Sequence, residues 1–191
     1  MKNATAKLVS DPGAIVVNAT AEGEAAPGFE GIAYSGGIVS RSTLSVPIDA
    51  DYVIDLADFS TGRSVKVNLD HKTNQRVGHL TEATTDGKQL TVKGLLSAAT
   101  PHRDEVALSA KNGYGWEVSI EAALGKPRKI EKGKTETING RQVAGPLYVF
   151  KGRLSGLGFV SNGADSGNSI TVAASEEQKT ITLRELRELL K

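Results

Sequence analysis

The stretch SVKVNLDHKTNQRVGHLTEATTDGKQLTVKGLL, Ser64 to Leu96, reads as three strands joined by two turns. SVKVNLD alternates with period two through Val65, Val67 and Leu69, the pattern of a strand with one face in a core. GHLTEATT and QLTVKGLL flank TDGK, and Asp-Gly between two such runs is a strong short-hairpin signal. The pattern changes in TPHRDEVALSAKNG. Thr100 is a good N-cap, Pro101 suits the first helical position, Asp104 and Glu105 favour the positive end of the helix dipole, and Asn112-Gly113 suits the stop. WEVSIEA, Trp116 to Ala122, returns to strand. One helix set inside a β-rich chain predicts a mainly β fold with a few helices: a mostly antiparallel β-barrel or strongly curved sheet with flanking helices.

The same reading extends to both sides. AIVVNA (14–19) and FEGIAYS (29–35) look like strands, the first an edge strand of an N-terminal extension over residues 1–28. Residues 45–60 carry Tyr52 and Phe59 without a clear period, as a short helix or a loop would. GKPRKIEKGKTETINGR is charged and turns at Asn139-Gly140, so it reads as a hairpin or solvated loop. QVAGPLYVFKGRLSGLGFV holds one or two strands, bent where Gly152, Gly156 and Gly158 fall. After the loop SNGADSGNS comes a short strand, ITVAA. The barrel domain is therefore expected over 29–175 and a C-terminal helix over 176–191, with Thr182 and Glu185 at capping-box spacing and Leu183, Leu186 and Leu190 in one stripe.

Bulk composition narrows the classes. The chain has 191 residues, 39% hydrophobic and 24% charged, as one globular domain with a short appendage would have. A net charge of +1 gives no electrostatic reason to expect nucleic acid or a membrane surface as partner. There are no cysteines, which excludes disulfides, thiol nucleophiles and Cys-ligated zinc. MKNATAKLVSDPG has no apolar run behind its lysines, so no secretory signal is expected and a cytoplasmic location is. No dinucleotide fingerprint, phosphate loop, GxSxG elbow or HExxH pair occurs, and no cofactor or metal is expected.

Three histidines are available for chemistry: His71, His79 and His102. On the WEVSIEA strand, Trp116, Val118 and Ile120 share an apolar face, which leaves Glu117, Ser119 and Glu121 on the other. A serine hydroxyl is a poor nucleophile until a base takes its proton, and an imidazole has a suitable pKa near neutrality. Partners in such a site come from distant parts of a chain, so His71 and Ser119 are permitted to meet. Physics permits that pair without selecting it, because a solvated serine on the polar face of a half-buried strand is ordinary.

From Phe29 to Ala174 the ordered blocks resemble the prohead (capsid maturation) serine proteases of tailed bacteriophages, distant fold relatives of the herpesvirus assemblins. FEGIAYS resembles the family's opening strand, NLDHKTNQRVGHLTEATTDGKQLTVKGLLS its histidine block, GWEVSIEA its serine strand, and LSGLGFVSNGAD its closing block. The chain departs from the family where an acidic residue is replaced by Gly156, a serine by Gly158 and a proline by Gly163; Glu121 and Ala122 also replace a Gly-Phe pair. The resemblance implies an endopeptidase with Ser119 as nucleophile and His71 as base. Asp165, Glu121, Glu117 or a water would orient His71, or the site would be a dyad without an acid, and Arg153 with Gly152 would form the oxyanion region. It further implies phage scaffold and major capsid proteins as substrates, self-cleavage, self-association, a place in the host cytoplasm inside the assembling procapsid, and a tail that starts a scaffold-like extension. Two other readings stand beside it: a protease fold that has lost catalysis and serves assembly, and an unrelated β-barrel binding domain.

Overall fold

The computed structural model describes residues 16–18, 26–43, 48–165 and 167. In chain order its strands are β1 (Val16–Asn18), β2 (Gly28–Tyr34), β3 (Tyr52–Ile54), β4 (Ser60–Leu69), β5 (Arg76–Thr85) and β6 (Leu90–Leu95). The helix α1 (Pro101–Lys111) follows. The remaining strands are β7 (Glu117–Leu124), β8 (Arg128–Ile130), β9 (Thr135–Ile138), β10 (Arg141–Ala144), β11 (Leu147–Phe150) and β12 (Gly152–Val160). The protein is thus mainly β with one α-helix among the described residues. The strand ITVAA and the C-terminal helix expected over 176–191 lie outside them.

Seven strands form the principal sheet, in the order β1-β2-β6-β5-β4-β12-β7. It curls into a half-barrel. The curl brings Phe29 of β2 edge-to-face onto Phe159 of β12, centroids 5.2 Å apart, although three strands separate them in the sheet. The alternating residues read from the sequence, Val65, Val67 and Leu69, are buried inside the curl, as are Val77, Leu80 and Leu90. Val106 and Ala110 of α1 close one side and are fully buried. Thr100 caps the helix by accepting from the Arg103 amide, and the Trp116 indole donates to Ser109 at 2.8 Å, tying α1 to the start of β7.

Several expectations are corrected here. Tyr52–Ile54 is a strand, not a helix or open loop. All three residues are buried and pair in parallel with β11, so burial on both faces removed the alternation that would have announced it. Parallel pairing recurs between β12 and β4, which makes the principal sheet mixed. The charged segment after β7 holds the expected hairpin, β9 with β10, and is not a solvated loop: β8 pairs with β11, and Ile130 and Ile138 are buried in a second small core with Val53, Val143, Leu147 and Val149. QVAGPLYVFKGRLSGLGFV holds parts of three strands, with the register shift between Leu154 and Gly156 that its glycines suggested.

Asn139-Gly140 forms the expected turn, both residues at positive φ (51° and 73°), between β9 and β10. Asn139 does more than turn the chain. It is buried, its amide donates to the Gly36 and Ile54 carbonyls, and its Oδ1 accepts from the Leu56 amide. Asn139→Ala leaves those groups unpaired and puts a less suited residue at positive φ. The expected loss is about 2–3 kcal/mol of unfolding free energy in urea titration.

Candidate functional site

The site lies on the outer face of the half-barrel, where β4, β12 and β7 run side by side. Its geometry begins with a tight turn. Leu69 ends β4, Asp70 and His71 both adopt positive φ (50° and 58°), and the Lys72 amide donates back to the Leu69 carbonyl at 3.0 Å. Two consecutive non-glycine residues in that region are costly, of order 1–3 kcal/mol each, so the surrounding structure must hold them. One tie is visible: the Asp70 amide donates to the Phe159 carbonyl of β12 at 2.9 Å. The turn thereby folds His71 off the end of β4 and back over β12.

There the imidazole rests on bare backbone. A Cβ on Gly158 would lie 2.9 Å from both Cε1 and Nδ1 of His71, closer than real atoms pack. A Cβ on Gly156 would lie 2.3 Å from Oε2 of Glu121. The two glycines therefore make a floor on which a histidine from one side and a glutamate from the other can meet. They do: His71 Nδ1 and Glu121 Oε1 are 2.9 Å apart, each side chain 35% exposed. Glu121 is further fixed through its own carbonyl, which accepts from the Ser155 hydroxyl in the β12 bulge at 2.9 Å.

Ser119 stands beside this pair. Its cross-strand partner is Gly158, the residue under the ring, and that of Glu121 is Gly156. Directly opposed antiparallel residues have Cα atoms about 5 Å apart. Val118, fully buried, points inward between Ser119 and Glu117, so Glu117, Ser119 and Glu121 share the outer face as their alternation predicts. Among the described residues no hydrogen bond joins the Ser119 hydroxyl to His71; the ring's bond is to Glu121. Contacts between nucleophile and base often tighten only with substrate in place.

The other expected members lie apart. Asp165 is buried at the edge of the β2 loop, where it accepts from the Ser35 amide (2.6 Å), the Ser35 hydroxyl (2.9 Å) and the Gly167 amide (3.1 Å). It is a loop clasp and not a partner of His71. Burial raises the nearby Tyr34 hydroxyl well above its ordinary value, and the Asp165 charge adds to that. Glu117 accepts from the Gly163 amide. Arg153 is exposed and pairs with Ala123, beyond the bulge and five residues from Gly158, roughly 16 Å along a strand. Gly152 is farther still. Sequence reasoning missed the role of Gly156 and Gly158 as a floor. The signal was present as two glycines at spacing two in a strand, which marks close approach by another group. It also missed a second serine–histidine contact, His79 Nδ1 to Ser97 Oγ at 2.7 Å on the same sheet face. Among the described residues no group of three or more His, Asp or Glu side chains could hold a metal ion.

The floor can be tested directly. Gly158→Ala forces the ring to give way by several tenths of an ångström or more. Misplacement of that order costs about 10²-fold in rate. The expected result is a loss of that size in the rate at which a fluorophosphonate phosphonylates Ser119, with an unchanged melting temperature.

No known protein family, curated protein or solved structure matches this chain.

Proposed function

We propose that this chain is a serine endopeptidase whose half-barrel is of the prohead-protease and assemblin kind. Its substrates are the scaffold and major capsid proteins of a tailed phage, and itself, and it works as a self-associating enzyme inside the assembling procapsid in the host cytoplasm. The observation that carries the reading is the His71–Glu121 pair laid over two bare glycines in the row next to Ser119. Glu121 accepts Nδ1–H and so holds the tautomer in which Nε2 is free to act as base. His71 takes the Ser119 proton as the oxygen attacks the scissile carbonyl, then gives it to the leaving amine. Water repeats the cycle on the acyl-enzyme. Glu121 supplies from β7 the carboxylate that the resembled family carries at the position of Gly156.

The missing Ser119–His71 hydrogen bond favours a second reading, a protease fold that no longer cleaves and serves assembly. One experiment separates the two. The protein is incubated with a fluorophosphonate and the adduct is located by peptide mass spectrometry. An adduct on Ser119 that disappears in His71→Ala supports the endopeptidase, and co-expression with capsid and scaffold proteins then identifies the cleaved bonds. An adduct on Ser97 transfers the chemistry to the His79 pair. No adduct at any serine sinks the enzyme reading.

A further inference from the structure

Asn68 is the fourth residue of this face. It lies between Val67 and Leu69, both buried in the core, so its side chain takes the outer face. Across the sheet it pairs with Gly158, and Gly158 pairs with Ser119. The row therefore runs Asn68, then Gly158 with the His71 ring upon it, then Ser119. Asn68 is only 6% exposed, yet its carboxamide makes no hydrogen bond among the described residues. Its polar end is not sealed either: of the fully covered side-chain polar atoms among the described residues, only Gln75 Oε1 lacks a partner. A polar group so deeply set is normally paired, because leaving it unpaired costs free energy. A carboxamide offers two donors and an acceptor, the complement of a peptide main chain.

Its position says which part of a substrate it would meet. The base hands its proton to the leaving amine, so the leaving segment crosses the active site on the histidine's side. Here that side is β12 and then β4. Resting on the endopeptidase reading, the geometry points to Asn68 as a substrate-binding residue that pairs with the main chain of the released segment, within the first residues after the scissile bond. It makes no contact with the acyl half.

Two readouts isolate this role. Phosphonylation of Ser119 by a fluorophosphonate, with fluoride leaving, needs His71 and Glu121 but has no peptide on the leaving side. Cleavage of a random-sequence decapeptide library needs the whole groove, and mass spectrometry of its products identifies a good substrate. That substrate is then made in two lengths, one extended past the scissile bond and one ending in a simple anilide. Asn68→Ala and the similarly shaped, uncharged Asn68→Leu are compared with the wild type, with melting curves confirming that each is folded. The expected result is a KM for the extended peptide that rises roughly tenfold more than any change in phosphonylation or in the anilide, the size of one neutral hydrogen bond. Parallel losses in phosphonylation and both substrates make Asn68 merely structural and overturn the proposal, as does no change in any of them. If wild-type Ser119 is phosphonylated but no library peptide is cut, Asn68 has no leaving segment to hold and the proposal is overturned alone. If wild-type Ser119 is not phosphonylated, the endopeptidase reading fails and takes this one with it.

Discussion

Replacing Glu121 by glutamine is expected to lower kcat about 10⁴-fold and leave the fold intact. A glutamine fits the space over Gly156, where Oε2 already lies against bare backbone. What changes is the proton. A carboxylate only accepts, so it selects the tautomer with hydrogen on Nδ1. An amide can present its NH2 to that nitrogen and stabilise the opposite tautomer, in which Nε2 carries the hydrogen and cannot act as base. In serine-protease triads, loss of the orienting carboxylate with geometry kept costs about this factor. Both side chains are about one-third exposed, so their attraction is screened and the stability change should stay below about 1 kcal/mol. The measurement is the rate of Ser119 phosphonylation by the fluorophosphonate beside a urea titration of the same preparation. A phosphonylation rate within threefold of wild type would mean that Glu121 does not govern His71.

Asp165→Ala is expected to do the reverse: a stability loss of roughly 3 kcal/mol with fluorophosphonate labelling of Ser119 per folded molecule unchanged. The carboxylate accepts from three groups around Ser35 and Gly167, and it is 5% exposed. Removing it leaves a buried amide and hydroxyl without an acceptor. Hydrogen bonds to a charged group contribute about 1.5–3 kcal/mol, and unpaired buried donors add their desolvation cost. The check is urea unfolding followed by phosphonylation of Ser119 measured well below the midpoint. A fall in phosphonylation of about 10²-fold or more in fully folded protein would make Asp165 part of the catalytic machinery. With both expected results, the two variants would assign Glu121 to rate and Asp165 to folding.

The parts of this architecture that were legible in the sequence are those whose cause is local. Period-two alternation placed β4 and β7 and gave the correct face for Ser119 and Glu121, because one side of each strand is buried and the other is not. The caps of α1 are written in Thr100, Pro101 and Asn112. Asp86-Gly87 and Asn139-Gly140 mark turns because few residues tolerate positive φ. What could not be read has a remote cause. β3 pairs with a strand nearly a hundred residues away, and its two faces enter two different cores, Tyr52 and Ile54 in one and Val53 in the other. Asp165 and Asn139 look like loop residues, and nothing near them in the chain shows which amides they satisfy. The choice of acid was the least legible. Glu117, Glu121 and Asp165 are equivalent in sequence terms, and only the register of β7 on β12 puts the carboxylate of Glu121, and no other, over a residue without a side chain.

The glycine floor ties two positions together. Glu121 of β7 and Gly156 of β12 face each other, and a Cβ at 156 would lie 2.3 Å from Oε2 of Glu121. A side chain can stand at one position only if the other yields the space. The two residues are coupled like the ends of a see-saw. The carboxylate that meets His71 is the group this coupling places. The group has an address in three dimensions and none along the chain.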